Sequence, residues 1–295
     1  MSEKQKKLIQ KIVIVVCVVG VLICAIWLII SGISNSRTEK ELDALKQEYV
    51  SVEPLATSTP QPQSSVQQPE STEAPTVTPE PDKVIIDGME YLTFDGLEVP
   101  KLTIDFEGLH EENEHIYAWI YIPNTNVDYP IVQHPSDPSY YLRRNTKGKS
   151  ATAGCIFTEH YNNKDFNDNL TVIYGHNMRN ESMFAHLHYF EDADFLAENP
   201  YVYIYTEQDV RVYQIFAAHE YSDMHLLLNS DTADDEVFGQ YLENLKTLNG
   251  AKDNFNWEIG VSSEDKVICL STCVRNEDEK RYLVQAKLIA VEEMP

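Results

Sequence analysis

Ile268-Cys269-Leu270-Ser271-Thr272-Cys273-Val274-Arg275-Asn276-Glu277-Asp278-Glu279-Lys280-Arg281-Tyr282-Leu283-Val284-Gln285-Ala286-Lys287-Leu288 is the stretch that decides the architecture. An apolar run ends at Cys273, breaks into a short charged loop, and resumes as a second apolar run opened by Arg281. Short runs of β-branched and aromatic residues bounded by polar turns read as strands. This strand–loop–strand therefore sets a thiol and a guanidinium at neighbouring strand ends. If the first run is a strand, the Cα atoms of Cys269 and Cys273 lie roughly 13 Å apart, too far for a disulfide.

Working outward, similar runs occur at Ile116–Ile122, Thr152–Phe157, Leu170–Tyr174, Tyr201–Thr206, Val210–Ala217, Lys266–Thr272 and Tyr282–Ala290. Their number and length predict a mainly β domain, a barrel or sandwich, with helices inserted between strands. Glu207-Gln208-Asp209 between two of the runs predicts a hairpin. Two segments carry helical spacing instead. Asn180–Ala197 places Met183, Phe184, Leu187, Phe190 and Leu196 at such intervals, and Ser230–Leu248 does so with Val237, Phe238, Tyr241, Leu242, Leu245 and Leu248. The acids Asp231, Asp234, Asp235 and Glu236 open the second, where they suit the positive end of a helix dipole.

Upstream, the composition changes twice. Ile12–Ile30 contains no charged side chain and as a helix would span roughly 28 Å, about the hydrocarbon thickness of a bilayer. Lysines precede it, so the reading is a cytoplasmic tail over residues 1–11, a transmembrane anchor over 12–31, and the remainder on the outer side of the cell membrane. Residues 32–82 read as a short juxtamembrane helix followed by a disordered Pro/Ser/Thr-rich spacer, too poor in large apolar side chains to offset its ordering entropy. Residues 83–295 read as the extracellular catalytic domain. Acidic residues outnumber basic ones by 47 to 23, a formal net charge of −24, which argues against nucleic acid as a partner. Five cysteines in 295 residues do not make a disulfide scaffold.

Three constellations compete for chemistry. Cys273 with His176 and Arg281 supplies a nucleophile, a proton carrier and a fixed cation for an oxyanion, the tasks of acyl transfer. His176, His186 and His188 with His160 would be a metal set, but no ligand spacing supports it, and the loop from Asp165 to His176 lacks the glycine and final glutamate of a calcium loop. The third reading is a tethered peptide-binding module without chemistry.

Two segments taken together separate these readings. Asn169-Leu170-Thr171-Val172-Ile173-Tyr174-Gly175-His176-Asn177-Met178 resembles the histidine segment of sortases, and Leu270-Ser271-Thr272-Cys273 followed by Arg281-Tyr282-Leu283-Val284 resembles their cysteine and arginine strands. Trp119-Ile120, Asp128-Tyr129-Pro130-Ile131-Val132-Gln133, Tyr140-Tyr141-Leu142, Ala153-Gly154 with Ile156-Phe157, and Met183-Phe184 are similar to class B members, over roughly Lys101 to Ile289. The resemblance implies an eight-stranded sortase-type β-barrel and a cell-surface cysteine transpeptidase of Gram-positive-type bacteria. It implies that Cys273 attacks a C-terminal sorting motif of exported surface proteins to give a thioacyl-enzyme, that His176 moves protons, and that Arg281 positions the peptide and steadies the oxyanion. Leu142, Ser271 and Thr272 fall on positions that bind substrate, and the acceptor is an amine of a peptidoglycan precursor or a pilin lysine. No cofactor and no metal is called for. A membrane-tethered cysteine protease and the non-catalytic module stay as alternatives. Two residues depart from the family pattern: Cys269 replaces a threonine, and Cys155 stands where serine is common. Both suit small buried positions.

Overall fold

The computed structural model describes residues 3–51, 82–86, 89–94 and 96–293. Eight strands close into a barrel: β1 (Ile116–Tyr121), β2 (Asp128–Val132), β3 (Ile156–Thr158), β4 (Leu170–Tyr174), β5 (Tyr201–Tyr205), β6 (Val210–Ser222), β7 (Val267–Val274) and β8 (Glu277–Glu292). Their order is β5-β1-β2-β3-β4-β7-β8-β6, with β6 returning to β5. The β2–β3 and β4–β7 pairs are parallel, and the others antiparallel. Closure leaves no barrel edge to pair with other chains.

Both faces of β7 are buried, so successive side chains serve two different cores. Ile268 and Leu270 join the barrel interior with Ile120, Ile173 and Val284. Val267 and Cys269 point the other way, into a cluster with Phe238, Leu242 and Leu245. Those three come from the helix Asp235–Leu245, which roofs the outer face of β4 and β7. Asp234 caps that helix, its carboxylate accepting from the N–H groups of Glu236 and Val237 at 2.9 and 3.0 Å. The helix expected over Ser230–Leu248 is therefore shorter, because the acids preceding Asp235 lie outside it and one of them caps it.

Several expectations shift for local reasons. The segment Asn180–Ala197 is not one helix: Glu181 and Met183 have φ of 65° and 60°, a 3-10 segment runs Ala185–Glu191, and Asp192 caps a separate helix, Ala193–Glu198. The strand expected at Thr152–Phe157 starts at Ile156, beyond Gly154 with φ 60°. A Cβ there would sit 2.6 Å from the Tyr141 and Leu142 carbonyl oxygens, so only glycine fits. Ahead of the barrel, Asp82–Ile86, Met89–Phe94 and Leu97–Pro100 form a three-stranded sheet. No strand is anticipated there, since Val84, Ile85 and Ile86 are all exposed and show no alternation.

The N-terminal region differs most from expectation. Glu3–Tyr49 is one continuous helix, so no separate juxtamembrane helix exists. Among the described residues no helix is long and apolar enough to cross a membrane. The last turns of the long helix pack on the barrel: Leu45 is buried, Leu42 and Tyr49 lie against the cores, Lys46 pairs with Asp128, and Glu39 and Glu41 receive the amides of Asn180 and Asn145. Val50–Ser51 then pairs with Thr103–Ile104. The spacer expected over Ser51–Asp82 lies, except for those two end residues, outside the described residues. The residues on either side of it, Ser51 and Asp82, each pair in a sheet.

Candidate active site

Register places the three predicted reactive groups together. In the parallel β4–β7 pair, Ser271 lies level with Tyr174, and Gly175 N–H donates to the Ser271 carbonyl at 3.1 Å. Two residues further along each chain come Cys273, still within β7, and His176, just past the end of β4. In the antiparallel β7–β8 pair, Cys273 faces Arg281 directly. All three border one cleft of about 280 Å³. Gly175 allows the histidine to reach this place, since a Cβ would lie 2.6 Å from Ile156 and Phe184 side-chain atoms.

The imidazole is oriented from the β2–β3 connection. His176 Nε2 lies 2.8 Å from the Leu142 carbonyl oxygen, which only accepts, so Nε2 carries the hydrogen and Nδ1 is the nitrogen able to take a proton. Burial pushes the His176 pKa below its ordinary value; the Leu142 carbonyl opposes this, and the Arg143 guanidinium adds to it. The ring is thus neutral near pH 7, in the state that accepts a thiol proton. Arg281 Nη1 donates to the Asp278 and Lys280 carbonyls, both at 2.9 Å, which fixes the guanidinium at the rim of the cleft.

Leu142, exposed at 40 %, and Ser271 also line the cleft. Thr272 borders it but is buried, and by strand alternation its hydroxyl lies on the opposite face from Cys273. It therefore offers a ligand its main chain, not its side chain. The histidines considered for metal have separate tasks: His176 binds Leu142, His186 Nδ1 accepts from Asn126 N–H at 3.0 Å, and His188 bonds Cys273 and Glu191.

A second polar group on the cleft wall is not anticipated from sequence. Glu159 beyond β3 meets His225 Nε2 at 2.6 Å, and the Tyr174 hydroxyl is 3.4 Å away. Burial raises the Glu159 pKa, opposed chiefly by His225. His225 Nδ1 accepts from Leu228 N–H at 3.2 Å, so the pair ties the β6–β7 connection to the barrel. Neither residue sits in a periodic run, and only the fold brings them together.

A barrel of this topology with Cys, His and Arg at the ends of three adjoining strands defines a class of cysteine acyl-transfer enzyme. The profile of the Sortase domain matches residues 120–289. Sortase B of Listeria monocytogenes is 36% identical over 190 residues, 63% of this chain and 74% of the relative. Sortase B of Staphylococcus aureus is 28% identical over 189 residues, 63% and 75%. The crystal structure of Clostridium perfringens sortase B superposes with a TM-score of 0.56 at 28% identity, covering 63% of this chain and all of that one. The chain belongs to the sortase family and is a class B sortase, a cysteine transpeptidase.

Proposed function

We propose that this sortase cleaves a C-terminal sorting motif of exported surface proteins and transfers the acyl group to an amine of a peptidoglycan precursor. The observation that carries this reading is the shared cleft of Cys273, His176 and Arg281. The peptide lies along Leu142 and Ser271, with the main chain of Thr272 beneath it. As the Cys273 sulfur attacks the carbonyl carbon of the motif threonine, the thiol proton passes to His176 Nδ1. The oxyanion of the tetrahedral intermediate forms beside the Arg281 guanidinium, a cation at every relevant pH. Collapse breaks the C–N bond, and the imidazolium gives its proton to the departing amine, leaving a thioester on Cys273. The acceptor amine then attacks that thioester and loses a proton to His176. Cys273 departs as thiolate and takes the proton back, restoring both groups.

In the same reading, residues 12–31 hold the protein in the cell membrane, with residues 1–11 inside and the catalytic domain outside. The acidic surface keeps nucleic acid away. Protease treatment of intact cells tests this arrangement: the domain is digested and the first residues are protected.

The enzymatic test uses the full chain, a panel of threonine-containing peptides and hydroxylamine as acceptor. A peptide hydroxamate and a Cys273-linked thioester, both visible by mass spectrometry, are expected. Products of water alone in the presence of hydroxylamine would replace transfer by proteolysis, and full turnover by Cys273→Ala would remove the mechanism.

A further inference from the structure

The barrel ladder does not account for how the Cys273 carbonyl is held. After Gly175 N–H bonds the Ser271 carbonyl, the next acceptor along the parallel β4–β7 ladder is the Cys273 carbonyl, but β4 has ended and its chain has turned away. Two side chains replace the missing backbone donor. Asn177 Nδ2 donates at 3.0 Å and His188 Nε2 at 3.1 Å. On the other side of β7 the pairing with β8 slips between Cys273 and Val274, which face Arg281 and Glu277 respectively. The strand end that bears the thiol thus has irregular support from both neighbours.

His188 is itself fixed on two further sides. Its Nδ1 lies 2.7 Å from Glu191 Oε1, and its ring stacks on Tyr282 with centroids 5.0 Å apart. Tyr282 is buried and follows Arg281 on β8. Glu191 pairs onward with Lys252 at 3.2 Å. His188 therefore ties the nucleophile's backbone to the strand of the arginine and to a surface ion pair.

We propose that His188 is a positioning residue for Cys273, holding the sulfur at its working place through the Cys273 carbonyl without touching substrate. A misplacement on the order of 1 Å costs an enzyme about a hundredfold, and a partly buried carbonyl that loses one of its two donors shifts toward the one that remains, here Asn177. This inference rests on Cys273 being the nucleophile.

The experiment compares peptide turnover and thermal unfolding of the full chain with those of His188→Asn, His188→Gln, Glu191→Gln and Cys273→Ala. Glutamine reaches far enough to put an amide N–H where Nε2 stands. Asparagine reproduces only the Nδ1 side and loses the Cys273 carbonyl. His188→Asn is expected to lower kcat about tenfold with KM within about twofold, and His188→Gln to recover to within about threefold of the parent. Glu191→Gln, which loosens the ring without removing it, is expected to lower kcat about threefold. Equal rates for the Asn and Gln variants, a loss confined to KM, or parental kcat in His188→Asn each overturn the proposal. Should His188→Asn unfold at the assay temperature, parental kcat in Glu191→Gln overturns it instead. Cys273→Ala separates the two levels. Full turnover there sinks the nucleophile assignment itself, whereas an inactive Cys273→Ala beside an unimpaired His188→Asn sinks this inference alone.

Discussion

Cys269 and Cys273 stand on the same strand and the same face, four residues apart, and face opposite fates. Cys269 is wholly buried, roofed by Phe238, Leu242 and Leu245, and burial pushes its thiol far above the usual range. Cys273 lies past the end of that roof and opens to the cleft. Residue type and strand are held constant, so the difference teaches that access and neighbours make a thiol useful. The roofed half of β7 stores stability. The open half trades covering side chains for a histidine, an arginine and room for a peptide.

Variants break this contrast in graded steps. Cys273→Ala is expected to reduce turnover by at least about ten-thousandfold with an unchanged melting temperature, since a nucleophile has no substitute. His176→Ala removes proton transfer and should cost roughly a thousandfold in kcat. Arg281→Ala should cost roughly a hundredfold, and Arg281→Lys should recover only part of it, because a point charge does not reproduce a planar fork. All three are read from the same peptide assay.

The roofed half answers to pH instead. His219 donates from Nδ1 to the Glu220 carbonyl and accepts from Gln285 at Nε2, both at 2.9 Å, while Gln285 accepts from Tyr241 of the roof helix. This arrangement requires a neutral ring, and burial lowers its pKa. Because the folded value lies below the unfolded one near 6.5, the unfolded chain takes up the proton first as pH falls, so stability is lost below about pH 6.5 and regained above it. The melting temperature should drop between about pH 7.5 and pH 5, and His219→Gln should show a shallower drop. Smallest of all, Cys269→Ala should leave turnover within about twofold and destabilise by about 1–2 kcal/mol as its small cavity partly collapses.

Much of the site was legible because its residues sit in strands with strong local patterns. Leu170–Tyr174 has the bounds its sequence predicts, and the motifs that carry His176, Cys273 and Arg281 lie within or just past strands. What escaped depends on partners distant in sequence. Glu159 and His225 meet across the fold. His188 looks like a surface or packing residue until the Cys273 carbonyl appears beside it. The run Asn180–Ala197 carries helical spacing, yet positive φ at Glu181 and Met183 and a cap at Asp192 divide it. The small sheet from Asp82 to Pro100 exposes one strand's apolar residues, so no alternation marks it.

Among the described residues, the long N-terminal helix is fastened to the barrel at its last turns, through Leu45, the Lys46–Asp128 pair and the amides of Asn145 and Asn180. It therefore acts as a keyed shaft. Each residue inserted upstream of Thr38 would turn the cleft by about 100° around the shaft and move it about 1.5 Å along the axis. Seven residues would return the cleft nearly to its starting bearing, about 10 Å farther out. The length of this helix thus sets the compass direction in which the Cys273 sulfur faces.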